Sequence, residues 1–147
     1  MLSFLRRKIK KIFSPTVKIK GVEYFHFRYT CGYFCDADQS YELCKAGDGF
    51  TAYVKPIGKP REEKRKYAVN ADFALKLETL LANNGVGKWN GFDKSNKMVL
   101  DGDSFALKLT NESGEKLSAN GYMRWPKNYL AVKEGIEELF DTLDKGE

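Results

Sequence analysis

The sequence predicts an α+β domain of two layers, in which two amphipathic helices pack on one face of a mostly antiparallel sheet. Three observations support this prediction. Segments that alternate apolar and polar residues are joined by short turn-forming links, and strands joined in this way pair antiparallel. Two later segments repeat apolar residues every three or four positions, as amphipathic helices do. Such helices must bury their apolar stripes, and a face of the sheet provides the surface.

The first half of the chain predicts a meander of three strands. Residues 17–31 are rich in aromatic and β-branched side chains, and aromatic rings occupy every second position from 25 to 29. Residues 40–45 and 50–55 form two further strands. The link between them, Ala-Gly-Asp-Gly at 46–49, has the composition of a hairpin turn.

A polar loop over residues 56–66 leads to the first helix of the domain. Asn70 or Asp72 can cap its N-terminus. The run Asn-Asn-Gly at 83–85 is a typical left-handed stop at a helix C-terminus. The apolar stripe between these signals consists of Phe73, Leu77, Leu80 and Leu81.

The second half predicts a hairpin followed by a second helix. Residues 104–110 alternate apolar and other side chains, and 115–121 form the partner strand after a turn over 111–114. The sheet therefore has about five strands, a meander plus a hairpin. Pro126 suits the first turn of a helix. The helical stripe that follows consists of Tyr129, Val132, Ile136, Leu139, Phe140 and Leu143.

Charge divides the chain into a basic N-terminal arm, residues 1–15, and a single domain, residues 16–147. The net charge is +5, but residues 1–20 hold seven basic and no acidic side chains, so the rest carries −2. The arm predicts a short basic amphipathic helix, which is a type that can lie on an anionic membrane. The residues expected to contact that surface are Leu2, Leu5, Arg6, Arg7, Lys8, Ile9, Lys10, Lys11 and Ile12.

The apolar runs of the chain point to a cytoplasmic protein, with peripheral membrane association as the alternative. No run approaches the roughly 18 apolar residues of a membrane span. A secretory signal requires a continuous apolar stretch after its basic start, and this sequence has none there. Because the excess positive charge belongs to the arm, a nucleic-acid partner is not expected for the domain itself.

The histidine and the cysteines do not form a recognisable reaction centre. Zinc sites favour pairs such as Cys-x2-Cys, whereas Cys31 and Cys35 are four residues apart. His26 and Cys31 fall on opposite faces of a regular strand. Together with Cys44 these side chains could still supply a zinc site or a Cys-His nucleophile, but nothing nearby predicts an activated thiol. We therefore expect no catalytic residue and no cofactor.

Three aspartates offer a second possible metal site. Asp93, Asp101 and Asp103 carry oxygen ligands suited to Mg²⁺ or Ca²⁺. They lack the alternating acids and closing glutamate of an EF-hand loop. Aspartate also stabilises turns through its own backbone hydrogen bonds, and the segment 100–103 is interpreted as a turn entering a strand. We expect no bound metal here either.

The segment 88–129 contains both tryptophans of the chain among many turn-forming residues. Aromatic side chains in loops can stack on ligands, or they can fill the gap between helix ends and the sheet edge. Both interpretations are open from the sequence. The candidate ligand-binding residues are Trp89, Asp101, Asp103, Tyr122, Arg124 and Trp125.

Three motifs in this segment resemble a family of small bacterial proteins of unassigned activity. They are Trp-Asn-Gly-Phe at 89–92, Val-Leu-Asp-Gly-Asp-Ser-Phe at 99–105 and Gly-Tyr-Met-Arg-Trp-Pro-Lys-Asn-Tyr at 121–129. The resemblance extends over about residues 24–140. It implies a bacterial source and no particular catalytic residue. Members with lipoprotein-like chains have an N-terminal lipobox cysteine, which this sequence lacks.

The sequence thus favours a non-enzymatic domain that binds a protein or a small ligand through the loops around its two tryptophans. The first alternative is peripheral membrane association through the arm. The second is a metal-dependent enzyme, which the absence of a recognisable constellation disfavours. Neither the ligand nor the oligomeric state follows from the residues.

Overall fold

The computed structural model describes residues 14–32, 38–55, 63–100 and 102–145. Within them the chain forms seven strands and two α-helices, with a short 3₁₀ helix, Val86–Trp89, between them. The elements in chain order are β1 (Val22–Thr30), β2 (Asp38–Ala46), β3 (Gly49–Lys55), β4 (Arg65–Val69), α1 (Ala71–Asn83), β5 (Asp93–Ser95), β6 (Ser104–Asn111), β7 (Lys116–Tyr122) and α2 (Tyr129–Asp144).

The seven strands form one sheet in the order β4-β3-β2-β1-β6-β7-β5. The meander runs outward from β1 to β4, and the hairpin of β6 and β7 pairs on the other side of β1. Every neighbouring pair is antiparallel except β5 with β7, which is parallel. The predicted α+β class and the mostly antiparallel sheet are confirmed.

The expected number of about five strands is wrong, because neither edge strand has the alternation of apolar and polar residues from which the other strands were predicted. β4 lies in a charged region that was predicted to be a loop at its start, and its side chains are largely exposed. β5 has three exposed residues. Edge strands pair through their backbones with one neighbour only, so their side chains need not alternate between core and solvent. Strand β1 also starts later than predicted, after Gly21 with φ of +65°.

The hydrophobic core lies on one face of the sheet, under both helices. Alternate residues of the central strands are buried and pair across them, as Phe25 does with Leu43 and Leu109. Phe140 of α2 has its ring 6.5 Å from that of Phe25 and 5.1 Å from that of Phe73 in α1. These ring contacts place both helices on the same face of the sheet, as the sequence predicted.

The ends of α1 follow the predicted capping signals. The side chain of Asn70 accepts a hydrogen bond from the amide of Phe73 at 3.2 Å. Gly85 adopts the left-handed conformation just after the helix, with φ of +69°. Helix α2 begins at Tyr129, three residues after Pro126, and the amide of Tyr129 donates to the Pro126 carbonyl at 3.2 Å.

The segment before β1 is held against the 3₁₀ helix and the β6–β7 turn. Val17 is buried, and its amide donates to the carbonyl of Gly87 at 3.1 Å. The buried side chain of Asn111 donates to the carbonyl of Lys18 at 3.0 Å. Its oxygen accepts from the amides of Ser113 and Glu115 in the turn. One polar side chain thus connects the start of the domain to its hairpin.

Candidate ligand-binding site at Trp125

Trp89 is a core residue that joins the 3₁₀ helix to the start of α2. Only 3% of its surface is exposed. Its ring centroid lies 6.1 Å from those of Phe105 and Tyr129. The indole nitrogen donates to the carbonyl of Lys127 at 3.0 Å. A buried indole needs such an acceptor, so Trp89 fixes the loop that leads into α2.

Trp125 lies on that same loop but faces solvent. Its ring stacks on Tyr129, with centroids 4.7 Å apart and planes 24° apart, and 39% of the residue is exposed. The flanking residues Met123 and Asn128 both have positive φ, 51° and 66°. A left-handed backbone disfavours side chains such as methionine. Two such residues reverse the chain on either side of Trp125 and hold it outward.

Trp125 borders two cavities. The first, of about 600 Å³, opens between the ends of β1 and β6 and the first turn of α2. The second, of about 660 Å³, lies between the end of α1 and the Trp125 loop. The first is lined by Tyr29, Thr30, Cys31, Asp103, Ser104, Trp125, Pro126, Asn128, Tyr129, Leu130, Ala131 and Lys133.

We call the first of these the Trp125 cavity. Its wall is mostly aromatic and apolar, with polar groups at Asp103, Ser104, Asn128 and Lys133. Leu130 is 63% exposed at its edge and adds an apolar side chain to the rim. Ligand sites combine this kind of apolar wall with a few placed polar groups, and their usual volumes are roughly 300–1,000 Å³.

Burial shapes the ionisation of the groups around this cavity. It raises the pKa of Tyr129 well above its ordinary value, and nearby Tyr29 and Asp103 act in the same direction. Burial lowers the pKa of Lys133, but its hydrogen bond to Glu137 at 2.6 Å and the adjacent Tyr29 raise it by more. The Lys133 ammonium also lies 4.2 Å from the centre of the Tyr29 ring. At neutral pH the wall therefore presents a neutral phenol and a charged ammonium.

The structure separates the candidate ligand-binding residues. Asp103 lines the Trp125 cavity, and its carboxylate accepts from the amide of Gly32 at 2.9 Å. Tyr122 lies on the other face of the sheet. Its hydroxyl accepts from Gly102 and donates to the carbonyl of Val99, so it anchors a loop.

The remaining candidates do not join Trp125 in its cavity. Arg124 is exposed and lines neither cavity beside Trp125. Trp89 touches the second cavity from the core. Asp101 lies outside the described residues.

Most of the wall was not among the predicted ligand-binding residues, including Tyr29, Leu130 and Lys133. Tyr29 was predicted only as part of an alternating strand, and Lys133 has no motif around it. Leu130 did carry a signal, because it is a large apolar residue outside the apolar stripe of its helix. A single exposed apolar residue carries little information by itself, and only its place beside Trp125 and Tyr129 in the structure makes it part of an apolar wall.

The metal and nucleophile hypotheses gain no geometric support from the described part of the chain. There, no three His, Cys, Asp or Glu side chains are grouped so as to hold a metal ion. Cys35 lies outside the described residues, as Asp101 does. Burial and the nearby Glu42 carboxylate raise the pKa of the Cys44 thiol. A nucleophilic thiol requires the opposite change.

The residues predicted to contact a membrane, from Leu2 to Ile12, also lie outside the described residues. Within the described ranges, no helix has both the length and the apolar character needed to cross a membrane. Peripheral association through the arm remains a prediction.

Comparison of the chain with protein-family models, curated proteins and solved structures found no match. The resemblance to a family of small bacterial proteins, based on the motifs of the 88–129 segment, therefore stays a prediction.

Proposed function

We propose that the chain is a non-enzymatic binding domain whose ligand is a small molecule held in the Trp125 cavity. One observation carries the proposal. An exposed tryptophan, stacked on a half-buried tyrosine, borders an apolar cavity of about 600 Å³ that has polar groups on its wall. The volume lies within the usual range of small-molecule sites.

The backbone around Trp125 supports this interpretation. A left-handed backbone costs roughly 1–2 kcal/mol for a residue such as methionine, whereas asparagine adopts it more readily. The chain places Met123 in this conformation two residues before the ring that it presents. Strain of this kind is concentrated at binding sites.

The wall also indicates the chemistry of the ligand. A flat apolar group fits against Trp125 and Leu130, since aromatic faces favour stacking. A polar end would meet the carboxylate of Asp103 and the ammonium of Lys133, which lie on the same wall. We therefore infer an amphipathic ligand with an aromatic or alicyclic body. A protein partner that inserts one aromatic side chain is the alternative with the same chemistry.

The test uses 8-anilinonaphthalene-1-sulfonate, a probe with an aromatic body and one anionic end. Its fluorescence rises when it enters an apolar site. We expect saturable binding by the native chain and affinity at least several-fold weaker in Trp125→Ala and Leu130→Ala. Both positions are exposed, so the variants should keep the fold, as circular dichroism would verify.

A matched control is available on the other helix. Leu75 is 59% exposed, close to the 63% of Leu130, but does not line the Trp125 cavity. Leu75→Ala should leave the affinity for the probe unchanged. Equal weakening by Leu75→Ala and Leu130→Ala, or no saturable binding by the native chain, would overturn the proposal.

A further inference from the structure

The sheet has a second face, which lies opposite the helices and which we call the open face. The register assigns to it the alternate strand residues that are not in the core. Among those described, none is a large aliphatic residue. Its members are Tyr24, His26, Arg28, Thr30, Ser40, Glu42, Cys44, Ala46, Thr51, Tyr53, Lys55, Lys66, Ala68, Asp93, Ser95, Ser104, Ala106, Lys108, Thr110, Lys116, Ser118, Asn120 and Tyr122.

Charge is divided between the open face and the helices. Helices α1 and α2 together hold seven acidic and two basic side chains. The open face has the opposite balance: Glu42 and Asp93 are acidic, and Asp38 adds a third acidic residue at the register position paired with Thr30. Glu42 is already bonded by the Lys64 ammonium at 3.3 Å and the Tyr24 hydroxyl at 3.2 Å. The basic residues of the open face are Arg28, Lys55, Lys66, Lys108 and Lys116.

This division corrects the inference drawn from net charge. Residues 21–147 are close to neutral as a whole, which argued against a polyanionic partner for the domain. In the structure, acidic side chains predominate on the helices and basic side chains predominate on the open face. A basic cluster on one face is the electrostatic footprint of nucleic-acid binding, whatever the total.

Three rings lie between these charges near the middle of the open face. They belong to Tyr24 and His26 of β1 and to Tyr53 of β3, and all three are partly exposed. Burial, together with the charges of Lys64, Arg28 and Lys108, lowers the pKa of His26, against the effect of Glu42. The imidazole is therefore a neutral ring at neutral pH. Flat rings beside basic groups on a sheet are the arrangement on which single-stranded bases stack.

We propose that the open face binds single-stranded nucleic acid, with phosphates at its basic residues and bases on its rings. Other occupants fit less well. A second copy of the chain packed symmetrically, open face to open face, would bring two basic faces together. A membrane or an apolar protein surface would find no large aliphatic side chain to bury. The open face offers what a flexible polyanion with stacking bases requires.

The experiment is fluorescence anisotropy with the full chain and labelled oligouridine or oligodeoxythymidine of about twelve nucleotides. We expect binding that weakens by roughly tenfold when salt rises about fourfold, because a few phosphate contacts release counterions. The double variant Lys108→Glu with Lys116→Glu should weaken binding by roughly tenfold or more. Comparison of the two probes shows whether the site prefers RNA or DNA.

Two matched controls make the result specific to the open face. Lys76→Glu with Lys145→Glu makes the same charge change on the helical side and should alter affinity far less. Tyr53→Leu should weaken binding by about fivefold or more through lost stacking. Tyr67→Leu, on the adjacent strand but with its hydroxyl bonded to Asp144, should not. Thermal unfolding of each variant verifies that it is folded.

The basic arm is the competing site. A variant with Arg6, Arg7 and Lys8 changed to Gln keeps the open face intact, and we expect it to retain most of the affinity. Loss of binding in this variant, with retention in Lys108→Glu/Lys116→Glu, would overturn the proposal. Equal effects of the open-face and helical-side variants, or no binding of either oligonucleotide, would overturn it too.

Discussion

Trp89 and Trp125 lie in the same turn-rich part of the chain, yet the fold gives them opposite environments. Trp89 is 3% exposed and bonded through its indole nitrogen, whereas Trp125 is 39% exposed and lies between two cavities. Both rings pack against Tyr129, at 6.1 and 4.7 Å. The tyrosine thus supports a structural ring on one side and a presented ring on the other. Two tryptophans in similar turn-rich sequence therefore have different roles: Trp89 stabilises the fold, and Trp125 is part of a candidate site.

Trp89→Ala should have the largest effect on stability. The change leaves a cavity among Phe105 and Tyr129 and removes the bond to the Lys127 carbonyl. Substitutions of this kind cost about 3–5 kcal/mol. Denaturant unfolding would measure the loss, and Trp89→Phe should recover part of it. A cost near that of Trp125→Ala would contradict the assignment of Trp89 to the core.

Gly87→Ala should have the second-largest effect on stability, through the 3₁₀ helix that holds Trp89. A Cβ at this position would overlap the backbone carbonyl oxygen of Val17, which cannot rotate away. That oxygen belongs to the residue whose amide donates to Gly87, so the docked segment must shift. Overpacking of this kind costs roughly 1–3 kcal/mol. Gly49→Ala, where the nearest atom to a Cβ is the Val69 carbonyl oxygen at an ordinary 3.4 Å, controls for the loss of a glycine; it should cost less than Gly87→Ala in thermal unfolding.

Trp125→Ala should cost only about 1 kcal/mol, the value of a partly exposed aromatic pair. The Tyr129 ring remains packed against Phe105 at 4.7 Å. The same variant should lose most of its binding of 8-anilinonaphthalene-1-sulfonate. The substitution should therefore affect ligand binding much more than it affects the stability of the fold. A loss of several kcal/mol would instead make Trp125 a structural residue and remove the basis for the site.

The two tryptophans should also differ in how far each indole ring is accessible to a quencher in the folded protein. In Trp89→Phe the fluorescence comes from Trp125 alone, and in Trp125→Phe it comes from Trp89 alone. Acrylamide, which quenches by collision, should quench Trp125 strongly and Trp89 weakly because of their exposures. Equal quenching in the two variants would contradict the difference between the environments.

The smallest effect concerns the phenol between the two rings. Burial raises the folded pKa of Tyr129 above the unfolded value of about 10. The contribution of the neutral Tyr129 side chain to the free energy of unfolding is therefore complete below pH 10, and it is lost as pH rises through the folded pKa. Tyr24, with a pKa raised to about 12, provides a reference on the open face. In Trp125→Ala the pKa of Tyr129 should fall towards 10 while that of Tyr24 stays, as NMR of ring-labelled tyrosine would show.

The sequence predicted most where burial forces a pattern. The alternation of Phe25 and Phe27 identified the covered side of β1, and the Asn70 cap marked the start of α1. It failed at β4 and β5, because edge strands are specified by backbone pairing rather than by burial. Of the candidate ligand-binding residues, Asp103 and Trp125 came together in one cavity. Leu130 and Lys133 were not predicted, because they become part of the cavity wall only when α2 packs beside the ends of β1 and β6.

By itself the sequence determined the α+β class, the position of both helices and the existence of an aromatic, turn-rich segment. These features depend on local propensity and on periodic burial, which neighbouring residues specify. Only the tertiary structure decided which tryptophan is exposed, and only it revealed the separation of acidic helices from a basic open face. Both depend on where distant segments meet in space. A chain whose charges nearly cancel along residues 21–147 can still present a face with an excess of basic side chains, because folding sorts side chains by face and not by position.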